Sequence, residues 1–211
     1  MPVVTALRPA RRRAGYLDVE VDGVLLGPVA EKDVAALGLA PGAALDEATV
    51  ARLHAEANVA RALALANSYL AHRPRSEAEV RTRLRQAQLG AASIDAAVDR
   101  LRAQGLLDDK RFAALWVESR ASFSPRSSRA LANELRQKGV DREQIDEVLA
   151  GAAPDDQELA LEAGRKRLRQ FSGAGEEEFR RRMAGYLARR GFPYDVVRES
   201  VEQLWQESQQ D

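Results

Sequence analysis

The tripeptide Pro-Arg-Ser stands at residues 74 to 76 and again at 125 to 127, an offset of 51, and Leu-Arg-Gln begins eight residues beyond each serine, at Leu84 and at Leu135. A proline cannot continue a helix, and a serine just after it supplies the side-chain oxygen that a new helix needs at its N-terminus. The repeat therefore marks the same helix boundary twice. Gly139, which closes the helix after the second tripeptide, has a counterpart at Gly191, an offset of 52. Three tandem units follow from these spacings, each too small to bury its apolar face alone. Units of this kind pack on their neighbours, so the expected fold is mainly α, with tandem three-helix repeats forming an elongated, curved stack.

The segment before the repeats reads differently. Leu17, Val19 and Val21 alternate with polar residues ahead of Asp22-Gly23, and Val24-Leu25-Leu26 follow. Asp-Gly between β-prone runs is a short-hairpin signal, and predicts two strands. A small helix over about Glu31 to Leu37 should stop at Gly38, with a turn at Pro41-Gly42. Residues 1–45 thus form an N-terminal β-hairpin and small-helix extension.

From Asp46 the chain is helical nearly to its end. Residues 46–107 make the first repeat with a long, Ala-rich lead-in helix to Ala71; Ser76 with Glu79 forms a capping box, Val80 and Leu84 share a face, and Gly90 closes that helix. Ser93 is expected to cap the next helix, striped by Ile94, Val98 and Leu101 and stopped by Gly105. Residues 108–153 repeat the plan from Asp108 or Asp109 through Phe112, Trp116 and Arg120, then Ser127, Gly139 and a helix opened by Asp141 with Gln144 and carrying Ile145, Val148 and Leu149. Residues 154–211 form a more diverged third unit. It opens after Pro154 with one helix through Leu161 and Leu168 to Phe171, breaks at Ser172 to Gly175, continues with Phe179, Met183 and Leu187, and ends on a helix striped by Val197, Val201 and Leu204.

Charge is segmented along this plan. The whole chain has 32 basic and 32 acidic residues, yet Arg73 to Lys138 holds 14 bases against 8 acids and Gly164 to Gly191 holds 9 against 3. Gly139 to Ala163 carries eight acids and one base. The basic blocks suit an anionic partner, and they equally suit solvated helix faces. Cysteine is absent, which excludes disulfides, thiolate zinc sites and thiol nucleophiles. No apolar run approaches the ~20 residues of a membrane span, and Met1 to Arg13 contain no apolar signal core, so a cytoplasmic location is expected.

Catalysis finds no constellation. His54 and His72 lie 18 residues apart in or just after one helix, about 27 Å at the helical rise, and cannot share a site. The acid pairs Asp108-Asp109 and Asp155-Asp156 stand before helices, where capping explains them. No phosphate-binding glycine motif and no metal-ligand cluster occurs, so neither a cofactor nor an enzymatic activity is expected. Phe112 and Trp116, at i and i+4, read as a core ridge rather than a base-stacking platform. The candidate binding residues are the bases around the proline breaks. Arg73, Arg75, Arg126 and Arg129 recur near helix N-termini, and with Arg81, Arg85, Arg136 and Lys138 they could form a basic strip for phosphates or acidic side chains. The competing account of each one is solvation with local ion pairs.

Arg-Pro-Arg-Ser-Glu-Ala-Glu-Val at 73 to 80, Gly-Leu-Leu-Asp-Asp-Lys-Arg-Phe-Ala at 105 to 113, Pro-Arg-Ser at 125 to 127 and Leu-Arg-Gln-Lys-Gly-Val at 135 to 140 resemble the RecX family. The resemblance spans about Arg61 to Trp205, with its specific motifs in the first two units. It implies a non-catalytic monomer of recombination, repair and the SOS response. Such a protein binds RecA recombinase, lodges along the groove of its filament on single-stranded DNA, and restrains ATP hydrolysis, strand exchange and co-protease activity. A helical protein that binds single- or double-stranded DNA directly is the alternative, and salt dependence separates the two.

Overall fold

The computed structural model describes residues 1–11, 13–152, 155–171 and 173–209. By its internal contacts the chain divides into two compact units, Met1–Leu107 and Asp108–Asp211.

The first unit opens with an antiparallel sheet of three strands, β1 (Val4–Pro9), β2 (Tyr16–Val21) and β3 (Val24–Ala30), in that order. The hairpin signal is borne out: Asp22 and Gly23 take φ of 49° and 78°, with Val21 paired to Val24 across them, as a mirror-image two-residue turn requires. The expectation of only two strands is corrected by β1, whose Val4 is wholly buried. Its weak alternation and terminal proline hid it, although proline is tolerated at the end of an edge strand. Gly27, at φ 126° beside a register shift in β3, lets the sheet approach helix α2: a Cβ on Gly27 would lie 3.1 Å from the Cβ of Ala57. After α1 (Glu31–Ala36), α2 (Glu47–Leu70) begins at Asp46, whose carboxylate accepts from the Thr49 amide at 2.7 Å. Hydrogen bonding from Thr49, its side chain first and then its backbone amide, holds the Asp46 carboxyl below its ordinary pKa. Leu53 of α2 joins Val4, Val19, Val21, Val29 and Val34 under the sheet. Farther along, Val59, Ala62, Leu63 and Ala66 pack with α3 (Glu77–Gln86) and α4 (Ala91–Ala103) through Val80, Leu84, Ile94 and Leu101. One long helix therefore serves two cores.

The break before α3 forms as expected, with Ser76 accepting from the Glu79 amide and the Glu79 side chain accepting from the Ser76 amide. The α3–α4 junction differs. Gln88, not Gly90, takes the left-handed conformation that ends α3 (φ 59°), while Gly90 is the extended residue before α4. Ser93 lies inside the first turn of α4 and is not its cap.

The second unit contains α5 (Asp109–Phe123), α6 (Ser128–Gln137), α7 (Arg142–Ala152), α8 (Asp156–Arg165), α9 (Leu168–Phe171), α10 (Glu176–Ala188) and α11 (Tyr194–Ser208). Phe112, Val117, Leu131, Leu135, Ile145 and Val148 close one core, and Leu159, Phe179, Met183, Leu187, Val201 and Leu204 another. The Asp108 cap is present, its carboxylate accepting from the Arg111 amide at 2.9 Å. The single helix expected through Leu168 to Phe171 is instead α8 and α9, parted at Lys166-Arg167, because Leu168 and Phe171 turn onto the last core. Gly164 allows α8 to cross α11 closely: a Cβ there would come within 2.2 Å of Leu204. Pro154 and Ser172, expected to open the third repeat and to begin its break, lie outside the described residues. Among the described residues no helix is long and apolar enough to cross a membrane.

Candidate functional site

In the first unit the bases of the proposed strip have partners of their own. Arg73 pairs with Glu79 at 3.0 Å and donates to the Pro74 carbonyl. The Arg75 guanidinium lies 3.9 Å from the centre of the Tyr69 ring, its Nε buried without a hydrogen bond. Arg81 donates to Glu77 at 2.7 Å and to Asp95 at 2.5 Å, and these bonds, Glu77 first, raise its pKa above the ordinary value. Glu77 also takes Arg102, at 2.5 Å. Arg85 is exposed and makes no ion pair among the described residues, as is true of its neighbour Arg83.

In the second unit the repeated tripeptide does two jobs at once. Ser127, fully buried, accepts from the Ala130 amide at 3.2 Å, capping α6, and donates its hydroxyl to the Gly191 carbonyl at 2.7 Å. Gly191 adopts φ 90°, and a Cβ there would meet Ser127 Oγ at 2.8 Å and Ala130 Cβ at 2.9 Å. Arg190 reaches back to the Ser124 hydroxyl at 3.1 Å and the Pro125 carbonyl at 3.2 Å, and its own carbonyl accepts from the Ser127 amide. Asp156, expected to serve its own helix, instead accepts from the amide and hydroxyl of Ser128 at 2.7 and 2.9 Å, placing a carboxylate at the N-terminus of α6. This joint fastens the α10–α11 turn to the start of α6.

Between the two ends of α6 runs a groove of about 640 Å³ lined by Trp116, Arg120, Arg126, Ala130, Asn133, Glu134, Gln137 and Lys138. Glu134 lies at its centre. One of its carboxylate oxygens accepts from Trp116 Nε1 and from Arg120 Nε, both at 2.8 Å; the other lies 3.0 Å from Arg126 Nε, an ion pair without hydrogen-bond alignment. Lys138 Nζ stands 4.3 Å from the centre of the Trp116 ring and the Arg120 guanidinium 4.6 Å from it. Phe112 is core, as the sequence suggests, but its partner Trp116 is half-buried and forms part of the groove. Of the eight strip residues, Arg126 and Lys138 meet here. Arg129 and Arg136 lie outside the lining, exposed and without ion pairs among the described residues. Sequence reasoning missed Trp116, Arg120 and Glu134 as groove residues. The available signal was the i,i+4 spacing of Trp116 and Arg120 and a lone acid, Glu134, amid bases.

Helices that recur in threes along the chain, after a small N-terminal sheet, define a tandem three-helix protein. Family models for the first, second and third three-helix domains of RecX match residues 60–101, 108–149 and 155–201. A regulatory protein RecX from Levilactobacillus brevis is 32% identical over 209 residues, covering 97% of this chain and 77% of the relative. One from Mycobacterium avium is 41% identical over 144 residues, 67% of this chain and 82% of its own. A crystal structure of regulatory protein RecX superposes with a TM-score of 0.73 at 25% identity, covering 96% of this chain and all of the other. RecX from Lactobacillus salivarius, at 21% identity and a TM-score of 0.59, shares the fold over 70% of this chain. The chain belongs to the RecX family of regulatory proteins.

Proposed function

We propose that this protein regulates RecA recombinase by binding its filament on single-stranded DNA, and that it acts by contact rather than by catalysis, as a cytoplasmic monomer that restrains ATP hydrolysis, strand exchange and co-protease activity during recombination, repair and the SOS response. The observation that carries the reading is the succession of the first, second and third RecX three-helix domains at residues 60–101, 108–149 and 155–201. The working parts are the extension 1–45 and the three repeats 46–107, 108–153 and 154–211. Arg85, Arg129 and Arg136 are the bases of the strip best placed to meet an acidic surface or phosphates, since they are exposed and their charges are not spent on neighbours. Arg73, Arg75 and Arg81 in the first unit, and Arg126 and Lys138 in the second, act through the partners they hold in place.

The test is the RecA ATPase rate on single-stranded DNA as the protein is titrated at fixed salt. Substoichiometric inhibition, with about tenfold more protein needed after Arg85→Glu, Arg129→Glu and Arg136→Glu together, is the expected result. The same uncompensated arginines favour a second reading, direct DNA binding. An unchanged ATPase rate, alongside binding to bare DNA that weakens steeply with salt, would replace the first reading by the second.

A further inference from the structure

The groove along α6 has more positive charge than its own carboxylate can use. Arg120 and Arg126 flank a single acid, Glu134, so two guanidiniums share one carboxylate, and Lys138 stands at the end of the same groove. The contacts of Arg120 and Arg126 with Glu134 run through Nε, and the terminal N–H groups of both make no hydrogen bond among the described residues. These donors are fixed in place before any ligand arrives, because the Glu134 side chain is only 17% exposed and is held from three sides.

The remaining lining decides what kind of anion fits. Sequence-tolerant binding of single strands draws much of its affinity from bases stacked on open aromatic faces. Trp116 offers none, since Arg120 and Lys138 sit over its ring and Glu134 takes its N–H. Asn133 and Gln137, one turn apart on α6, line the same groove with side-chain amides that both donate and accept. A phosphodiester only accepts, whereas a peptide backbone does both. A volume of about 640 Å³ takes an acidic side chain with its flanking peptide units.

We infer that this groove is a docking site for an acidic segment of a protein partner, whose carboxylates pair with Arg120, Arg126 and Lys138 while its backbone meets Asn133 and Gln137. Glu134 then acts as an internal competitor that holds the cradle in shape and tempers its affinity. The inference rests on the regulatory reading only for the identity of the partner, not for the binding itself.

The experiment uses the full chain with Trp205→Phe, which leaves Trp116 as the one tryptophan of the two in the sequence. Its emission is followed as a capped peptide of alternating Glu and Gly, or oligothymidylate of equal charge, is added at low salt. Saturable change with the peptide and none with the oligonucleotide is expected. Arg126→Gln with Lys138→Gln should weaken the peptide by about tenfold or more, and Glu134→Gln should tighten it about threefold. If the double variant does not fold by circular dichroism, Lys138→Gln alone, beyond the end of α6, should still cost about threefold. A response to oligothymidylate instead of peptide makes the groove a nucleic-acid site. Silence to both, or a folded double variant that binds as well as its parent, overturns the inference. A chain that takes the peptide but leaves the recombinase ATPase unchanged would sink the regulatory reading and keep the groove; one that inhibits the ATPase but ignores the peptide would do the reverse.

Discussion

The same three residues, Pro-Arg-Ser, do different work at 74–76 and at 125–127, and the cause is one position downstream. Three residues after Ser76 stands Glu79, whose side chain closes the capping box and pairs with Arg73. Three residues after Ser127 stands Ala130, which cannot close a box but is small enough for the Gly191 turn to come to rest on it. The arginine follows suit. Arg75 lies on the Tyr69 ring, whereas Arg126 is drawn to Glu134 and into the groove. A repeated motif thus preserves the helix start, while the residue at the third helical position decides whether that start is finished locally or offered to a neighbouring turn.

The contrast can be broken at several points. Gly191→Val should have the largest effect, since it combines a left-handed backbone at φ 90° with a Cβ set against Ser127 and Ala130; a loss of about 3 kcal/mol in chemical denaturation is expected, and a loss under about 1 kcal/mol would mean the turn is not tightly seated. Ser127→Ala removes both the α6 cap and the bond to the Gly191 carbonyl, and should cost about 2 kcal/mol. Ala130→Glu asks the second break to behave as the first. The new side chain competes for the place of the Gly191 turn, so a net loss of about 1.5 kcal/mol is expected, and a gain in melting temperature would show that the joint yields to the box. Glu79→Ala opens the first box and frees Arg73, for a loss of about 1 kcal/mol centred on α3; if hydrogen exchange there stayed as slow as in the parent, the box would be ornamental to that helix.

What could be read from the sequence was local. The Asp22-Gly23 turn, the Ser76 box, the Asp108 cap and the apolar stripes at Val80/Leu84 and Phe179/Met183/Leu187 depend on residues within a turn or two of one another, and all are present. Where the reading fell short, the deciding partner is distant along the chain. Strand β1 exists because β2 pairs with it, and α8 ends early because Leu168 and Phe171 find the last core. Asp156 faces α6 rather than its own helix for the same reason, a pairing over 28 residues. The groove was hidden most deeply: Trp116 and Arg120 come from α5, Glu134 and Lys138 from α6 and the residue after it, and only packing brings them together. The candidate strip named two of the groove's residues, Arg126 and Lys138, since basic composition is visible in one dimension. Neutralisation by a neighbour is not.

Helix α2 has Leu53 beneath the sheet and Val59 to Ala66 in the first three-helix core, with Arg13 donating to the Ala60 carbonyl between them. The extension is therefore no detachable ornament. A truncation at residue 45 would leave a helix with half its length unclothed, a sticky apolar stem on an otherwise sound repeat. The sheet and the front half of α2 thus form one hydrophobic unit, and neither can be removed without stranding the other.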